Sequence, residues 1–419
     1  MTSEDFETRH VKDVVSFAKG KPPAEQPYFG KDAELYLTPE YLRGGAFSEP
    51  IKANKNAVRV SGGETIVLWD GSNAGEVFRA RPGVLSSTMV HLKPENSFDD
   101  DYFFYAMKGW EGYLKGQTSG SGIPHVDKEV LGKLALLRYP INEQVKIAEI
   151  LATVDQAIEQ TEALIAKQQR IKTGLMQDLL TRGIDEHGQL RAEQTHDFKD
   201  SPLGRIPVEW EVLPISHVIA DIDAGWSPSC EDVTPGQGEW GVLKVSAISS
   251  GVFNPTESKR LPIGLLPLPE LEVHKDDVLL SRANGVTELV GRCVYVEATP
   301  GKLMLSDKTL RLNPRLEKIL PRMLCEQLKA ESSRRQILNY ISGSSGQKNL
   351  SQKQIGSILI ALAPIEEQQK LFKLLQNSAR QFEFDEVNLK KTKALKTALM
   401  QDLLTGRKRV TDLLELVAS

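Results

Sequence analysis

The sequence predicts an α+β fold in which one unit, a globular domain followed by a long helix, occurs twice in tandem. Three observations predict this architecture. A gapless repeat relates two stretches of the 419-residue chain at an offset of 224 positions. Apolar residues recur with a period near 3.5 within both stretches. The segments before them contain short β-like runs that Gly, Pro, Asn and Ser interrupt.

The repeat is clearest at its two ends. Residues 172–181 (KTGLMQDLLT) recur as residues 396–405 (KTALMQDLLT), and PINEQ at 140–144 recurs as PIEEQ at 364–368. Residues 140–181 and 364–405 are identical at 18 of 42 positions without a gap. Unrelated segments of ordinary composition agree at about one position in sixteen. We infer an internal duplication. The lack of gaps favours a helix, because loops between strands tolerate insertions.

Each repeated stretch is predicted to form one helix about 60 Å long, at 1.5 Å per residue. Gly183 and Gly406 stand where a helix C-terminus favours glycine. We expect the two apolar stripes to pack against each other as a coiled coil; the alternative is that each stripe packs against its own domain. The predicted seam and subunit-interface residues are Ile147, Leu151, Val154, Ile158, Ile165, Leu175 and Leu179, with Leu371, Leu375, Phe382, Leu389, Leu395, Leu399 and Leu403.

The segments between the helices are predicted to be globular and to contain strands, for example at 64–69, 277–280 and 291–296. The duplication extends weakly into them, because 85–94 resembles 305–314 and the loop at 118–122 resembles 342–346. Few basic residues and no periodicity predict a solvated linker after the first helix. The predicted order is a first domain (1–139), a central helix (140–182), a linker (183–206), a second domain (207–363), a C-terminal helix (364–406) and a tail (407–419).

Composition limits the classes of function. The net charge of −4 argues against a chain that coats nucleic acid over its whole surface. No run approaches about 18 apolar residues, the N-terminus lacks the apolar core of a secretion signal, and three scattered cysteines suit no disulfide framework. A cytoplasmic protein is expected. No phosphate-binding loop, methyltransferase motif, nucleophile elbow or nuclease-type carboxylate cluster occurs, so we expect a non-catalytic chain without a metal site or bound cofactor.

Local charge indicates two windows that could contact DNA. Residues 51–93 carry a net charge of +3 and residues 302–353 carry +7. Each domain also has a loop rich in Ser, Thr and Gly, whose small side chains allow close approach to phosphates. The alternative is a solvated basic face with ordinary turns. The candidate DNA-binding residues are Lys52, Lys55, Arg79, Arg81, Lys93, Thr118, Ser119, Ser121, Arg282, Asn284, Lys308, Arg311, Ser344, Ser345, Gln347, Lys348 and Asn349.

The chain resembles the specificity (S) subunit of type I restriction–modification systems. The features are PI-x-EQ at the start of each long helix, LMQDLLT near each helix end, and the run at 198–207 that leads into Trp210. The resemblance covers the full chain. It implies two α/β target-recognition domains separated by an antiparallel helix pair with pseudo-twofold symmetry. Each domain would read one part of a bipartite double-stranded DNA site, and the helices would set the spacing.

The resemblance also implies partners. Two methyltransferase (M) subunits would carry S-adenosylmethionine and methylate adenine N6, and restriction/translocase (R) subunits with ATP and Mg²⁺ would complete the enzyme. No membrane partner is expected. In one respect the two domains differ: QKN follows the small-residue loop of the second domain at 347–349, whereas IPH stands at 123–125 in the first. The two loops are therefore not expected to make the same contacts.

Two other functions stay open at the level of sequence. A coiled-coil scaffold whose domains bind proteins would have the same helices, but it would form no salt-sensitive complex with specific DNA. A specificity subunit of another DNA-modifying defence system would share the DNA-reading domains and differ in its partners.

Overall fold

The computed structural model describes residues 6–118, 123–341 and 348–411, without the side chains of 375–380, 382 and 383. The chain forms two compact units, one from Met1–Ile165 and Asp385–Ser419 and the other from Ala166–Phe384. Both boundaries fall inside the long helices. The units therefore differ from the predicted segments, because each combines a globular domain with part of both long helices.

The first unit contains the N-terminal domain. Its strands are β1 (Glu7–His10), β2 (Val15–Lys19), β3 (Glu34–Leu37), β4 (Pro50–Ile51), β5 (Arg59–Val60), β6 (Thr65–Leu68), β7 (Val77–Arg79), β8 (Gly83–Leu85), β9 (Met89–Pro94) and β10 (Ala135–Arg138). Its helices are α1 (Val11–Val14), α2 (Pro39–Leu42), α3 (Asp100–Gly109), α4 (Glu111–Gly116), α5 (Lys128–Gly132) and the first part of α6 (Ile141–Thr181).

An antiparallel sheet in the order β2-β9-β6-β7 forms the centre of this domain. A second sheet, β4-β3-β8-β5, contains the parallel pair β3–β8. Strand β1 pairs with β10 directly before α6 begins. The β-like run predicted at 64–69 is confirmed as β6, all of whose residues are buried.

The second unit contains the other domain. Its strands are β11 (Phe198–Ser201), β12 (Gly204–Pro207), β13 (Glu211–Pro214), β14 (Ile219–Ala224), β15 (Gly241–Leu243), β16 (Ser258–Arg260), β17 (Val278–Ser281), β18 (Ala283–Asn284), β19 (Cys293–Tyr295), β20 (Leu303–Met304), β21 (Thr309–Pro314), β22 (Lys348–Asn349) and β23 (Leu359–Leu362). Its helices are α7 (Ser246–Ser249), α8 (Pro321–Lys329), α9 (Glu331–Tyr340), α10 (Gln352–Gly356) and the first part of α11 (Ile365–Leu404).

The second domain repeats the topology of the first. Its central sheet, β14-β21-β17-β19, corresponds strand for strand to β2-β9-β6-β7, and β15–β20 is again a parallel pair. Strand β13 pairs with β23 directly before α11, as β1 pairs with β10 before α6. A helix pair follows the central sheet in both domains, α3–α4 in one and α8–α9 in the other. The duplication therefore includes the domains, where sequence identity shows it only weakly.

The domains contain short helices as well as strands: α3 and α8 have 10 and 9 residues, a length over which helical periodicity is weak. One expectation from the sequence needs correction. The composition of 183–206 predicts a solvated connector, yet this segment contains the β11–β12 hairpin and buries Ile184, Arg191 and Ile206. That burial depends on groups distant in sequence, which local composition does not reveal.

Each unit has its own hydrophobic core, and both long helices contribute to it. In the first unit Ile147 and Leu151 of α6 and Leu403 of α11 are buried together with α3. In the second unit Leu179 of α6 and Leu371 of α11 are buried together with β17 and β21. The predicted apolar stripes are therefore buried at the helix ends against the domains as well as against the other long helix.

Away from the helix ends the predicted seam is less buried. Leu175 is 40% exposed and Leu395 is 52% exposed. Leu375 and Phe382 belong to α11, but their side chains lie outside the described residues. The half-buried seam residues are Val154, Ile158, Ile165, Leu389 and Leu399.

Ion pairs show the direction of the two helices within the first unit. Lys396 contacts Asp155 at 2.5 Å, and Lys393, one turn earlier in α11, contacts Glu162, two turns later in α6. The two helices are therefore antiparallel in this unit, as predicted.

Glycines end both long helices, as the sequence predicts. Gly183 and Gly406 have φ values of 63° and 75°, in the left-handed region that glycine adopts most readily. A Cβ atom at position 183 would lie 2.0 Å from Oε1 of Glu367. The turn after α6 therefore requires glycine both for its backbone conformation and for this close approach.

The glutamine of the repeated PI-x-EQ segment fixes the start of each long helix. Oε1 of Gln144 accepts a hydrogen bond from the N–H of Asp99 at 2.8 Å. Nε2 of Gln144 donates to the carbonyls of Ser97 and Tyr139, at 3.0 and 2.7 Å. Gln368 makes the same three bonds to the equivalent backbone groups of the second domain. Each long helix is thereby bound to its own domain by a buried amide.

The glutamate of the same segment is buried in both units and binds an arginine that follows the end of the other long helix. Glu143 is 1% exposed, and its two oxygens accept from the guanidinium of Arg409 at 2.6 Å. Glu367 is 7% exposed and accepts from Arg191 at 2.6 and 3.1 Å. Each unit therefore contains one buried ion pair that joins the start of one long helix to the chain leaving the other.

Candidate nucleic-acid interface

Five candidate residues of the second domain meet at one end of its central sheet. Arg282, directly after β17, donates its N–H to the carbonyl of Lys308 at 2.8 Å, and its carbonyl accepts from the residue after β22 at 3.0 Å. Because β18 pairs with β22, Asn284 lies opposite Lys348, with Asn349 next in the strand. We name Arg282, Asn284, Lys308, Lys348 and Asn349 the second hairpin surface.

A hydroxyl network holds the turn that presents Lys308. The N–H of Ser306 donates to Oγ1 of Thr309 at 2.8 Å, and the hydroxyl of Thr309 donates to the carbonyl of Ser306 at 3.0 Å. Thr309 is fully buried, whereas Lys308 is exposed and its ammonium group has no hydrogen bond or ion pair among the described residues. Asn284 uses Oδ1 to accept from the N–H of Val286 at 3.0 Å. The surface thus offers an ammonium group and amide N–H donors.

The first domain builds the same scaffold with other side chains. Trp69, directly after β6, donates its N–H to the carbonyl of Thr88 at 2.7 Å, and its carbonyl accepts from the N–H of Val126 at 2.9 Å. Asp70 forms an antiparallel bridge with His125. We name Trp69, Asp70, Thr88 and His125 the first hairpin surface. In the second domain Arg282 stands in the place of Trp69, Ala283 in that of Asp70, Lys308 in that of Thr88 and Asn349 in that of His125. Leu350 stands in the place of Val126.

The two surfaces present different hydrogen-bonding groups. Asp70 contributes a carboxylate, which also accepts from Nζ of Lys19 at 2.7 Å, and Thr88 contributes a hydroxyl. A carboxylate suits the amino group of cytosine, whereas amide, guanidinium and ammonium groups suit adenine and guanine. The same backbone arrangement therefore presents groups suited to different bases in the two domains.

Arg311 lies within the central sheet rather than on the second hairpin surface, and its side chain is 12% exposed. Its guanidinium donates to the carboxylate of Asp223 at 2.7 and 2.8 Å and to that of Asp277 at 3.4 Å. It also donates to the carbonyls of Glu270 and Glu272, both at 2.8 Å. This arginine therefore holds the sheet and its neighbouring loop together.

The basic residues of the first window have other surroundings. Lys52 forms an ion pair at 3.5 Å, Arg79 forms an ion pair and stacks on two aromatic rings, and Arg81 lies 4.7 Å from a tyrosine ring. Lys55 and Lys93 are exposed, and their ammonium groups have no hydrogen bond or ion pair among the described residues. None of these bonds involves the first hairpin surface.

The loops rich in Ser, Thr and Gly lie mostly outside the described residues. Thr118 is described and half-buried, and β22 begins directly after the second of these loops. The candidates outside the described residues are Ser119, Ser121, Ser344, Ser345 and Gln347.

Sequence reasoning missed all four members of the first hairpin surface, Trp69, Asp70, Thr88 and His125. One signal was present, because the offset of 224 relates His125 to Asn349. Trp69 and Asp70 carry no comparable signal, since their place beside His125 follows from the pairing of strands distant in sequence.

Within the described ranges, no helix is long and apolar enough to cross a membrane. The same ranges contain no group of three or more His, Cys, Asp and Glu side chains that could hold a metal ion. The three cysteines are free thiols, two of them buried.

Comparison with known families explains the duplicated architecture. The family model described as the type I restriction modification DNA specificity domain matches residues 3–168 and, a second time, residues 238–392. The chain belongs to the type I restriction–modification specificity subunit family. The MjaVIII specificity subunit of Methanocaldococcus jannaschii is 32% identical to it over 421 residues, 98% of this chain and 94% of that protein.

Other relatives of this specificity subunit agree. The EcoEI specificity subunit of Escherichia coli is 36% identical over 178 residues, 41% of this chain and 29% of that protein. The solved S subunit from M. genitalium has the same fold, with a TM-score of 0.59 at 16% identity over 96% of this chain and 97% of that one. A structure solved to explain complex assembly and conformational transition of a type I R-M system matches with a TM-score of 0.56.

Family and fold together confirm the main predictions from the sequence. The α+β fold with two tandem domains and two long helices is confirmed. The chain is the specificity subunit of a type I restriction–modification system, the DNA-recognition component and not the catalytic one.

Proposed function

We propose that this specificity subunit reads a bipartite double-stranded DNA site, with one half-site at each hairpin surface. The observation that carries the proposal is the reuse of one scaffold with different side chains. Trp69 and Arg282 make equivalent pairs of backbone hydrogen bonds, while the exposed groups around them differ. Base identity is read by side chains, whereas backbone geometry only positions them. A duplicated scaffold with different surface groups therefore suits a site whose two halves differ.

The long helices set the distance between the half-sites in this proposal. Helix α6 has 41 residues and is about 60 Å long, and successive major-groove faces of DNA lie about 34–36 Å apart. Helices of this length have the reach to hold two readers on one duplex. A buried glutamine and a buried glutamate fix the start of each helix, which favours a defined spacing.

Two methyltransferase subunits bind the long helices in this proposal, one at each unit. Ile171 and Leu175 lie one turn apart on α6 and are 57% and 40% exposed, and Leu395 on α11, which the repeat relates to Ile171, is 52% exposed. Exposed apolar residues at equivalent places suit two copies of one partner. The partners would supply S-adenosylmethionine, and restriction subunits would supply ATP and Mg²⁺ sites. The complete enzyme would act in the cytoplasm.

Exchange of one domain tests the proposal. Residues 15–134 are replaced by the equivalent segment of another specificity subunit, while Tyr139, Glu143, Gln144 and Arg409 stay native so that the start of α6 keeps its ion pair and its bond to the Tyr139 carbonyl. Methylome sequencing of cells that express the chimaera with its partner subunits is expected to show one half of the methylated motif changed and the other half retained.

The matched control exchanges residues 219–350 and is expected to change only the other half. A change in both halves after either exchange would contradict the assignment of one domain to one half-site. An unchanged motif after both exchanges would favour a scaffold that does not read DNA.

A further inference from the structure

A cavity of about 470 Å³ lies beside the second hairpin surface. Lys244, Lys259 and Lys308 line it, and we name it the lysine cavity. Its floor includes Val242 and Leu243 of β15, which are buried in the domain. The sequence indicated only Lys308, because the other two lysines lie outside the basic window at 302–353. The fold brings all three to one concave site.

The positive charge of the lysine cavity is only partly compensated. Lys244 forms an ion pair with Asp232 at 2.5 Å. The ammonium groups of Lys259 and Lys308 have no hydrogen bond or ion pair among the described residues. Asp307 also lines the cavity, and its carboxylate accepts a hydrogen bond from the hydroxyl of Ser227. The three lysines against Asp232 and Asp307 therefore leave an excess of one positive charge for a bound anion.

The first domain has a smaller cavity, about 340 Å³, at the equivalent turn. Thr88 stands there in the place of Lys308. Among the described residues that line it, the one basic group is Arg43, which donates to the carboxylate of Glu76, and the acidic groups are Glu40 and Asp70. The first cavity therefore offers no uncompensated cation, although the backbone around it is equivalent.

The position of the lysine cavity identifies the anion. Lys308 belongs to the cavity and, through its carbonyl, to the second hairpin surface, because it accepts from the N–H of Arg282. Duplex DNA read at a base-contacting surface places its backbone phosphates directly beside that surface. Small cationic recesses next to base-reading groups fix the register of a protein on DNA, and they add affinity that depends on salt.

We propose that the lysine cavity holds a backbone phosphate of the DNA at the second half-site, bound by Lys259 and Lys308, and that the first domain has no equivalent anchor. This inference rests on the proposed function, since it places DNA at the second hairpin surface. It makes the two domains unequal: both select bases, but the second contributes an additional phosphate contact.

Salt dependence of binding tests the inference. The full assembly with its methyltransferase subunits is titrated with a duplex that carries the methylated motif, across a series of KCl concentrations. The double variant Lys259→Gln with Lys308→Gln is expected to reduce the slope of log affinity against log salt by about 0.9, the value for one lost phosphate contact. The matched control is Lys275→Gln, an exposed lysine at the other end of β17. It removes charge from the same domain and is expected to leave the slope unchanged.

Cys230 provides a second readout, because it lines the lysine cavity and is half-buried, whereas Cys293 and Cys325 are buried. Alkylation by N-ethylmaleimide, followed peptide by peptide with mass spectrometry, is expected to be slower at Cys230 when the duplex is bound. Inorganic phosphate at equal ionic strength is expected to protect less than the duplex.

Each outcome decides the inference. An unchanged salt slope in the double variant, or a thiol that the duplex does not protect, would overturn it. Equal protection by inorganic phosphate would identify a site for free anions and would also overturn it. The domain exchange separates this failure from that of the proposed function: if each exchange still changes one half of the motif, the domains read DNA without this anchor.

Discussion

The central sheets of the two domains have the same strand order, but one equivalent position, on β9 in the first domain and on β21 in the second, holds very different side chains. In the first domain His91 on β9 lies opposite Ile66, is 8% exposed, and its buried environment lowers the pKa of the imidazole. In the second domain Arg311 on β21 lies opposite Leu279 and binds two carboxylates. A neutral ring and a charged network thus occupy the same place in one topology.

This difference teaches which features the duplication has kept. The strand order, the turn that precedes the second strand of the sheet and the bonds at the helix start are the same in both units. The side chains have diverged, even inside the sheet, wherever new partners satisfy their charge. In the second domain burial raises the pKa of the Asp277 carboxyl, although the nearby guanidinium of Arg311 opposes this. The carboxyl group of Asp277 therefore depends on Arg311 to stay charged in its buried position.

The largest expected effect comes from the buried ion pairs at the helix starts. Glu367→Ala is expected to destabilise the second unit by about 3–5 kcal/mol, because it leaves the buried charge of Arg191 without a partner. It also removes the acceptor of the Trp210 indole N–H and of the Ile184 N–H. Thermal unfolding of the full chain in its assembly, with hydrogen exchange to locate the change, measures the loss.

The equivalent change in the first unit gives the comparison. Glu143→Ala is expected to cost about 1–2 kcal/mol less, because among the described residues Glu143 accepts from Arg409 and, at 3.5 Å, from the N–H of Val410. Glu366→Ala, at the exposed neighbouring position, is the control and is expected to have no effect. An equal or larger loss for Glu143→Ala would show that the extra bonds to Glu367 do not stabilise the second unit.

Inside the sheets we expect a smaller effect. Arg311→Met is expected to destabilise the second domain by about 3 kcal/mol, because Asp223 and Asp277 lose their counter-charge. His91→Gln, the change at the equivalent position, is expected to cost about 1 kcal/mol, since a neutral polar group replaces a neutral ring. Hydrogen exchange of β17 and β6, followed by mass spectrometry, reports the two losses separately. If both variants open their sheets to the same extent, the charged network adds nothing to the second domain.

The sequence predicted the parts of the fold that depend on local pattern. The repeat placed both long helices, and Gly183 and Gly406 marked their ends. The sequence did not predict the ion pair of Arg191 with Glu367, because the two residues are 176 positions apart. The composition of 183–206, which includes Arg191, favoured a solvated linker. Arg311 entered the candidate site through the charge of its window, whereas the strand directs it into a carboxylate network that only the tertiary fold creates.

The candidate site was predicted in part for the same reason. Lys348 and Asn349 were found because they follow a loop that the repeat identifies, and the fold joins them to Arg282 and Lys308. Trp69 was missed because its link to Thr88 is a backbone hydrogen bond between strands, which carries no mark in residue type.

The central claim is that equivalent hairpin surfaces read different half-sites, and one measurement tests it most directly. Methylomes are sequenced for two double variants, Asp70→Ala with His125→Ala in the first domain and Asn284→Ala with Lys348→Ala in the second. We expect each variant to relax base preference within one half of the methylated motif, and the two variants to affect opposite halves. Relaxation of the same half by both variants, or an unchanged motif in both, would contradict the claim.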